Sequence, residues 1–283
     1  MIPSNPMVDE TVAAAREGDR AAFDRLCRPA LARLRAVVRR MVGDPTETDD
    51  LVQEALTRAW ASIGRFDGRS EVSTWLCRIG INAAIDHLRG QQRWRARAQI
   101  AYANECATSM ELGQEVGEVV MSPAFRYDAR EHIAFCFTCV GRSLDPDLQA
   151  ALLLREVEGL SNLEAARSLD ITESVLRHRL AEARATMERE FEGLCALVNK
   201  RGVCYQCSGL REAVPDADRQ GEPAPALTSF DARVAFVRAA DVDVGSSQPL
   251  HDLFWRRIRA QERDGRGSVE VGEDCAPSAS DAE

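Results

Sequence analysis

The chain has 283 residues, of which 45% are apolar and 29% charged, so it can form about two domains of ordinary size. No apolar run reaches the roughly 18 residues of a membrane helix, and residues 1–6 lack the basic-then-apolar pattern of a signal peptide. We therefore expect a soluble, cytoplasmic protein without membrane insertion. The net charge is −9, but five arginines and one acid lie between Arg78 and Arg97, and this local charge can attract phosphate.

The first hundred residues have helical periodicity. An apolar stripe from Phe23 to Met41 follows Gly18, and Gly43-Asp44-Pro45 ends it. A second helix starts at the acidic cluster Thr48-Asp49-Asp50, where the helix dipole favours negative charge.

This second helix has a buried and an exposed face. Leu51, Ala55 and Ala59 recur at helical spacing and predict the buried side. The opposite side leaves four polar residues for solvent or a partner: Asp50, Gln53, Glu54 and Arg58.

A third helix carries tryptophan and arginine. Trp75, Leu76 and Ile79 face inward, and a polar stripe lies on another side: Asn82, Asp86, Arg89 and Arg93. Amide, carboxylate and guanidinium groups at this spacing suit contact with bases and phosphates. A solvated arginine face is the simpler alternative for such a helix taken alone.

Three linked motifs in residues 50–89 carry a family resemblance. The string from Asp50 to Trp60, the loop from Phe66 to Trp75, and Trp75-Leu-x-Arg-Ile-x-x-Asn82-x-x-x-Asp86-x-x-Arg89 resemble the second conserved domain of bacterial extracytoplasmic-function sigma factors. The resemblance implies that the acidic helix docks on core RNA polymerase. It also implies that the polar stripe and the loop around Phe66 open the upstream melted promoter element. Val72 stands where the family often has an aromatic residue.

Residues 98–130 lose periodicity and predict a flexible linker. A second helical unit follows. Asp145-Pro146 starts a helix that Gly159 ends, Ser161 and Glu164 form a capping box, and residues 170–172 turn the chain into a further helix. Short helix, tight turn and longer helix predict a helix-turn-helix.

The longer helix is the predicted recognition helix. We expect Val175, Leu176, Leu180 and Ala183 to pack inward. The candidate DNA contacts are Ser174, Arg177, His178, Arg179 and Arg184. The segment also resembles the fourth conserved domain of the sigma family, although Asp170 replaces the usual glycine at the turn. The alternative for His178, as for most lone histidines, is an ordinary surface residue.

Nine cysteines include two Cys-x2-Cys pairs that flank the helix-turn-helix: Cys136 with Cys139, and Cys204 with Cys207. Four thiolates can hold a structural zinc ion, with Cys195 as a spare. A redox- or metal-responsive thiol set and plain core packing are the alternatives. Cys27, Cys77, Cys106 and Cys275 lack partner spacing, and we expect them to be inert.

Residues 213–283 form an acidic extension. Residues 230–244 predict one or two strands, residues 249–258 a short amphipathic helix, and residues 265–283 disorder. The extension could fold back on the DNA-binding face, bind a regulator or tail off.

The sequence therefore predicts an all-α protein with four segments: domain 2 (1–97), linker (98–130), domain 4 (131–212) and extension (213–283). The implied function is a non-catalytic sigma factor that initiates transcription with core RNA polymerase at promoter DNA, under control of an anti-sigma factor. The alternative is a stand-alone helix-turn-helix regulator with a thiol or metal sensor.

Overall fold

The computed structural model describes residues 6–68, 70–90, 105, 108–194, 219–220, 229–239 and 247–263. These residues are almost wholly helical, which confirms the all-α class. In the same ranges, no helix combines the length and the apolar character that crossing a bilayer requires. Six of the residues predicted above lie outside them: Arg93, Cys106, Cys195, Cys204, Cys207 and Cys275.

The N-terminal unit is a helical bundle. Its helices are α1 (Pro6–Arg16), α2 (Arg20–Cys27), α3 (Leu31–Val42), α4 (Pro45–Ser62) and α5 (Val72–Gly90). The predicted stripe from Phe23 to Met41 is split into α2 and α3 by a short 3-10 turn, Arg28–Ala30, in which Pro29 cannot donate a backbone hydrogen bond.

Local sequence sets the ends of these helices. The Asp19 carboxylate caps α2 by accepting from the backbone N of Ala22 at 3.1 Å, and that of Asp44 caps α4 by accepting from Glu47 N at 2.9 Å. Gly43 follows α3 at a φ of +82°, which favours glycine. Helices α3 and α5 approach so closely at Gly80 that an added Cβ would lie 2.4 Å from the Leu34 side chain.

The predicted linker contains regular structure. Helix α6 (Met110–Val120) begins at Ser109, whose hydroxyl accepts from Leu112 N at 3.3 Å. A two-residue strand, β1 (Tyr127–Asp128), pairs in parallel with β2 (Arg219–Gln220). The prediction overlooked an apolar stripe at helical spacing, Leu112, Val116 and Val119, of which Leu112 is buried and the valines are partly buried.

The second unit contains α7 (Ala129–Gly141), α8 (Pro146–Leu152), α9 (Asn162–Ser168) and α10 (Glu173–Leu194). Helix α8 continues as a π-helical turn, Leu153–Val157, and Gly159 then reverses the chain at a φ of +70°. Both halves of the predicted capping box at Ser161 and Glu164 are present.

Two more helices follow: α11 (Phe230–Ala239) and α12 (Gln248–Arg263). The predicted strands at 230–244 are therefore wrong for the described part of that segment. Phe230, Val234 and Val237 are buried at steps of four and three residues, the period of a helix. The amphipathic helix predicted at 249–258 is confirmed and is longer on both sides.

The two units are packed together. Apolar side chains of α3 and α5 belong to the same buried cluster as those of α8, α10 and α11. The Gln149 side chain of α8 donates to the backbone oxygen of Met41 at 2.9 Å, and Glu158 pairs with Arg33 and Arg40 of α3. Polar and apolar contacts therefore both join the two units.

Candidate polymerase and DNA interfaces

The face of α4 opposite its buried stripe is exposed. Leu51, Ala55 and Ala59 lie in the core, as predicted, while the four candidate polymerase contacts are all exposed: Asp50, Gln53, Glu54 and Arg58. Within this patch Arg58 donates to Glu54 Oε1 at 2.6 Å and to Asp86 Oδ2 of α5 at 3.2 Å. Three acidic or amide side chains around one paired arginine give α4 a polar surface that a basic partner can read.

On α5, Asn82, Asp86 and Arg89 are exposed on one side of the helix. The guanidinium of Arg89 donates to Asp147 Oδ2 of α8 at 2.5 Å, and this bond and the carboxylate charge raise the pKa of Arg89. Asp86 and Arg89 are thus each paired with an oppositely charged side chain of a neighbouring helix, while Asn82 is exposed.

Phe66 does not present its ring to solvent. It is 5% exposed and packs against Trp75 with a centroid distance of 5.1 Å, and Arg16 of α1 donates to its backbone oxygen. The Phe66 ring is therefore covered by the protein, and its contact with DNA stays a prediction. Burying an aromatic ring against Trp75 removes apolar surface from water, and this fixes the loop between α4 and α5 instead.

The helix-turn-helix is formed by α9 and α10. Asp170 adopts a φ of +54°, the left-handed conformation that its place in the turn predicts. Leu176, Leu180 and Ala183 are buried as predicted, and Met187 extends the same stripe. Val175 is 42% exposed, so its predicted inward packing is wrong. It lies in the first turn of α10, one position before the buried stripe, where its backbone N donates to the Thr172 hydroxyl.

The candidate contacts on α10 differ in availability. Ser174, Arg177 and His178 are exposed along its N-terminal half. Arg179 is partly covered and pairs with Asp147 Oδ1 at 3.0 Å. Arg184 pairs with Glu156 at 2.8 Å and with Asp231 of α11 at 2.6 Å, and its guanidinium lies 4.9 Å from the Phe230 ring centroid. Two of the five candidates are therefore engaged within the chain.

The described cysteines are mostly covered. Cys136 and Cys139 lie one turn apart on α7, and Cys139 belongs to a buried apolar cluster with Leu112, Phe254 and Trp255. Burial raises the pKa of Cys27 and of Cys77 to about 11, so both thiols stay protonated and unreactive at neutral pH. Within the described ranges, no group of three or more His, Cys, Asp or Glu side chains could hold a metal ion.

Sequence reasoning missed the carboxylates that join the units. Asp147 bridges Arg89 and Arg179, and Glu158 bridges Arg33 and Arg40. No local motif marks such residues, because each looks like an ordinary surface acid in its own helix.

Two family models match the chain. Sigma-70 region 2 matches residues 26–94, and Sigma-70 region 4 matches residues 136–187. The first includes the polar faces of α4 and α5, and the second the helix-turn-helix.

Curated relatives agree with these matches. The RNA polymerase sigma-H factor of Pseudomonas aeruginosa is 31% identical over 185 residues, which cover 65% of this chain and 94% of that protein. The ECF RNA polymerase sigma-E factor of Escherichia coli K12 is 31% identical over 192 residues, or 68% and 98% of the two chains. A solved structure of CnrH with the cytosolic domain of CnrY is similar at a TM-score of 0.43 and 22% identity, over 65% of this chain and 96% of that one.

Helix bundle, helix-turn-helix and exposed polar faces together define a two-region transcription initiation subunit. With relatives of this identity and coverage, the chain belongs to the RNA polymerase sigma factors, in the extracytoplasmic-function group. A sigma factor binds core RNA polymerase and directs it to promoter DNA.

Proposed function

We propose that the exposed face of α4 docks on core polymerase while α5 and α10 contact two separate promoter elements. The observation that supports this division is the presence, in one chain, of two polar surfaces on different helical units. Asp50, Gln53 and Glu54 are exposed on α4, and Ser174, Arg177 and His178 are exposed at the start of α10. The family is not an enzyme class, and we propose binding and positioning as the only roles of these residues.

The recognition helix would read bases through its N-terminal half. Arg177 has the fork geometry that bonds guanine at two points, and one such contact discriminates by about 1–3 kcal/mol. Ser174 and His178 flank it on the same exposed surface. On α5, Asn82, Asp86 and Arg89 would contact the melted element, together with Arg93, which lies outside the described residues. We place the protein in the cytoplasm, where promoter DNA lies.

Reconstituted transcription tests this proposal. The purified chain is added to core polymerase on a library of genomic fragments, and transcript starts are mapped. We expect starts at defined positions that depend on the chain. A chain that binds DNA fragments by itself but leaves the starts of core polymerase unchanged would instead be a stand-alone helix-turn-helix regulator.

We also propose a structural zinc ion held by Cys136, Cys139, Cys204 and Cys207, with Cys195 as the spare thiol. The first two lie one turn apart on α7, a spacing at which two side chains of a helix face the same side. Cys139 is packed among Phe254 and Trp255, so a metal there would compete with the contacts of α12. If the purified protein contains no metal, the remaining alternatives for these cysteines are a redox-responsive thiol set and core packing.

An anti-sigma protein is the expected regulator in this family.

A further inference from the structure

Helix α12 lies between the two sigma regions and touches both. Its Trp255 is 2% exposed and its ring fills the space beside Gly43, where an added Cβ would lie 2.2 Å from the ring. On the other side, the Phe135 ring of α7 meets Trp255 at a centroid distance of 5.8 Å and Phe254 at 5.1 Å. One aromatic pair of α12 therefore packs simultaneously on the end of α3 and on α7.

Buried ion pairs add to this packing. Arg39 of α3 pairs with Asp252 at 3.0 Å, and Asp44, the cap of α4, pairs with Arg259 at 3.0 Å. Arg39 is 4% exposed and Asp44 2%. Each pair has one buried and one partly exposed member, and removing the exposed partner leaves the buried charge with fewer compensating groups, so the pairs stabilise the contact of α12 with the N-terminal unit.

The start of α12 is fixed to the second unit. The Ser247 hydroxyl donates to Arg126 O at 2.8 Å and accepts from Asp128 N at 2.9 Å. The Ser247 backbone N donates to the Glu131 carboxylate at 2.8 Å. These bonds anchor one end of the helix beside α7, while its Trp255 and Arg259 reach the N-terminal unit.

Helix α11 covers part of the second unit in a similar way. Its Asp231 forms an ion pair with the Arg184 guanidinium, and its Arg238 donates to the backbone oxygen of Glu156 at 2.5 Å. The backbone oxygen of Val237 accepts from Arg40 of α3 at 3.5 Å. A candidate DNA contact is thereby neutralised by the extension itself.

The resulting arrangement brings the two promoter-facing surfaces together. Arg89 of α5 and Arg179 of α10 share the carboxylate of Asp147. Both candidate DNA contacts are thereby engaged by one carboxylate of the chain instead of by DNA. The described conformation is therefore closed with respect to the proposed function.

The segment that carries α11 and α12 lies beyond both matched sigma regions, the second of which ends at residue 187. The match to the sigma-H factor of Pseudomonas aeruginosa covers 94% of that protein but only 65% of this chain.

We propose that α11 and α12 form an autoinhibitory latch, which holds sigma regions 2 and 4 together and lowers promoter binding until α12 leaves its seat between α3 and α7. This inference rests on the proposed function. It assigns the acidic extension a role within the chain: the inter-region surface is occupied by its own residues 229–239 and 247–263. The exposed polymerase face of α4 stays accessible in the latched state.

Full-length variants test the latch. Trp255→Ala removes the shared ring, and Asp252→Lys places a cation opposite Arg39. Arg256→Ala, on the exposed side of α12, is the matched control. For each protein we would measure the radius of gyration by small-angle X-ray scattering. Promoter affinity would be measured with saturating core polymerase on a duplex recovered from the genomic library.

We expect both latch variants to expand and to bind the promoter at least about tenfold more tightly, because apparent affinity scales with the fraction of open molecules. Arg256→Ala should match the parent. Expanded variants with unchanged or weaker binding would overturn the proposal, as would variants that neither expand nor gain affinity. Loss of helical circular dichroism in both would show that α12 is an integral part of the fold, and would also overturn it. If the parent chain does not direct transcript starts at specific positions, the proposed function is wrong. If the parent directs such starts but the latch variants neither expand nor gain promoter affinity, only the latch is wrong.

Discussion

The buried histidine pair between α7 and α12 should make stability fall with acid. His132 Nδ1 and His251 Nε2 lie 3.3 Å apart, with Phe135 stacked on His251 at a centroid distance of 4.2 Å. Burial lowers the pKa of His132 to about 4. Burial, together with the charges of His132 and Arg39, lowers the pKa of His251 well below its usual value. Both rings are therefore neutral in the folded protein at neutral pH.

The sign and size of the effect follow from linkage. The unfolded chain titrates near the ordinary histidine pKa of about 6.5, so it takes up protons before the folded chain does. Stability is then full above that pKa and is lost as pH falls toward the folded value. For His132 alone, going from pH 7 to pH 5 costs about 2 kcal/mol. The neighbouring charges are Arg39 of α3, Asp252 of α12 and Glu131 of α7.

Urea denaturation at pH 7 and pH 5 measures this loss. We expect the parent to lose at least about 2 kcal/mol more between these pH values than the double variant His132→Gln with His251→Gln. His178→Gln, at an exposed position, should retain the slope of the parent. Equal losses in the parent and the double variant would refute the assignment of a neutral buried pair.

Three further predictions concern the candidate interfaces. Asp50→Arg with Glu54→Arg should weaken association with core polymerase and leave the urea midpoint unchanged, because both side chains are exposed. Arg177→Ala should lower promoter affinity by about 1–3 kcal/mol and relax preference at one base pair, measured by competition binding. Protein purified without added metal should contain about one zinc per chain, lost on Cys204→Ser with Cys207→Ser, because thiolates supply the coordination.

Two of these experiments have a control variant, and all three have a contrary result. The control is Glu10→Arg, which reverses an exposed charge on α1 and should bind core polymerase like the parent. If Asp50→Arg with Glu54→Arg binds core polymerase as well as the parent does, the exposed face of α4 is not the docking surface. Equal loss on all DNA sequences would reduce Arg177 to a phosphate contact. The control Cys275→Ser should keep the metal. If the parent protein contains no metal and its melting temperature does not change in chelator, the cysteines serve core packing or redox chemistry instead.

Features with local causes could be predicted from the sequence. The capping box at Ser161, the left-handed Asp170 and the buried stripe of α4 depend on residues within one or two helical turns. The motifs between Asp50 and Arg89 and the helix-turn-helix were sufficient to predict the family.

Features that depend on distant residues could not be predicted. Phe66 became a core residue because Trp75 and Arg16 close around it, and residues 230–239 became helical on a surface provided by Phe137 and neighbouring residues. The sharing of Asp147 by Arg89 and Arg179 depends on three helices, α5 of the first unit and α8 and α10 of the second. These contacts are tertiary, and the candidate site therefore looked more open in sequence than it is in the structure.

Transcript mapping with core polymerase on genomic fragments tests the sigma assignment most directly. With the parent chain present, core polymerase should start RNA at defined positions, and Arg177→Ala should weaken those starts. Starts that are the same with and without the chain, beside direct DNA binding by the chain alone, would contradict the account.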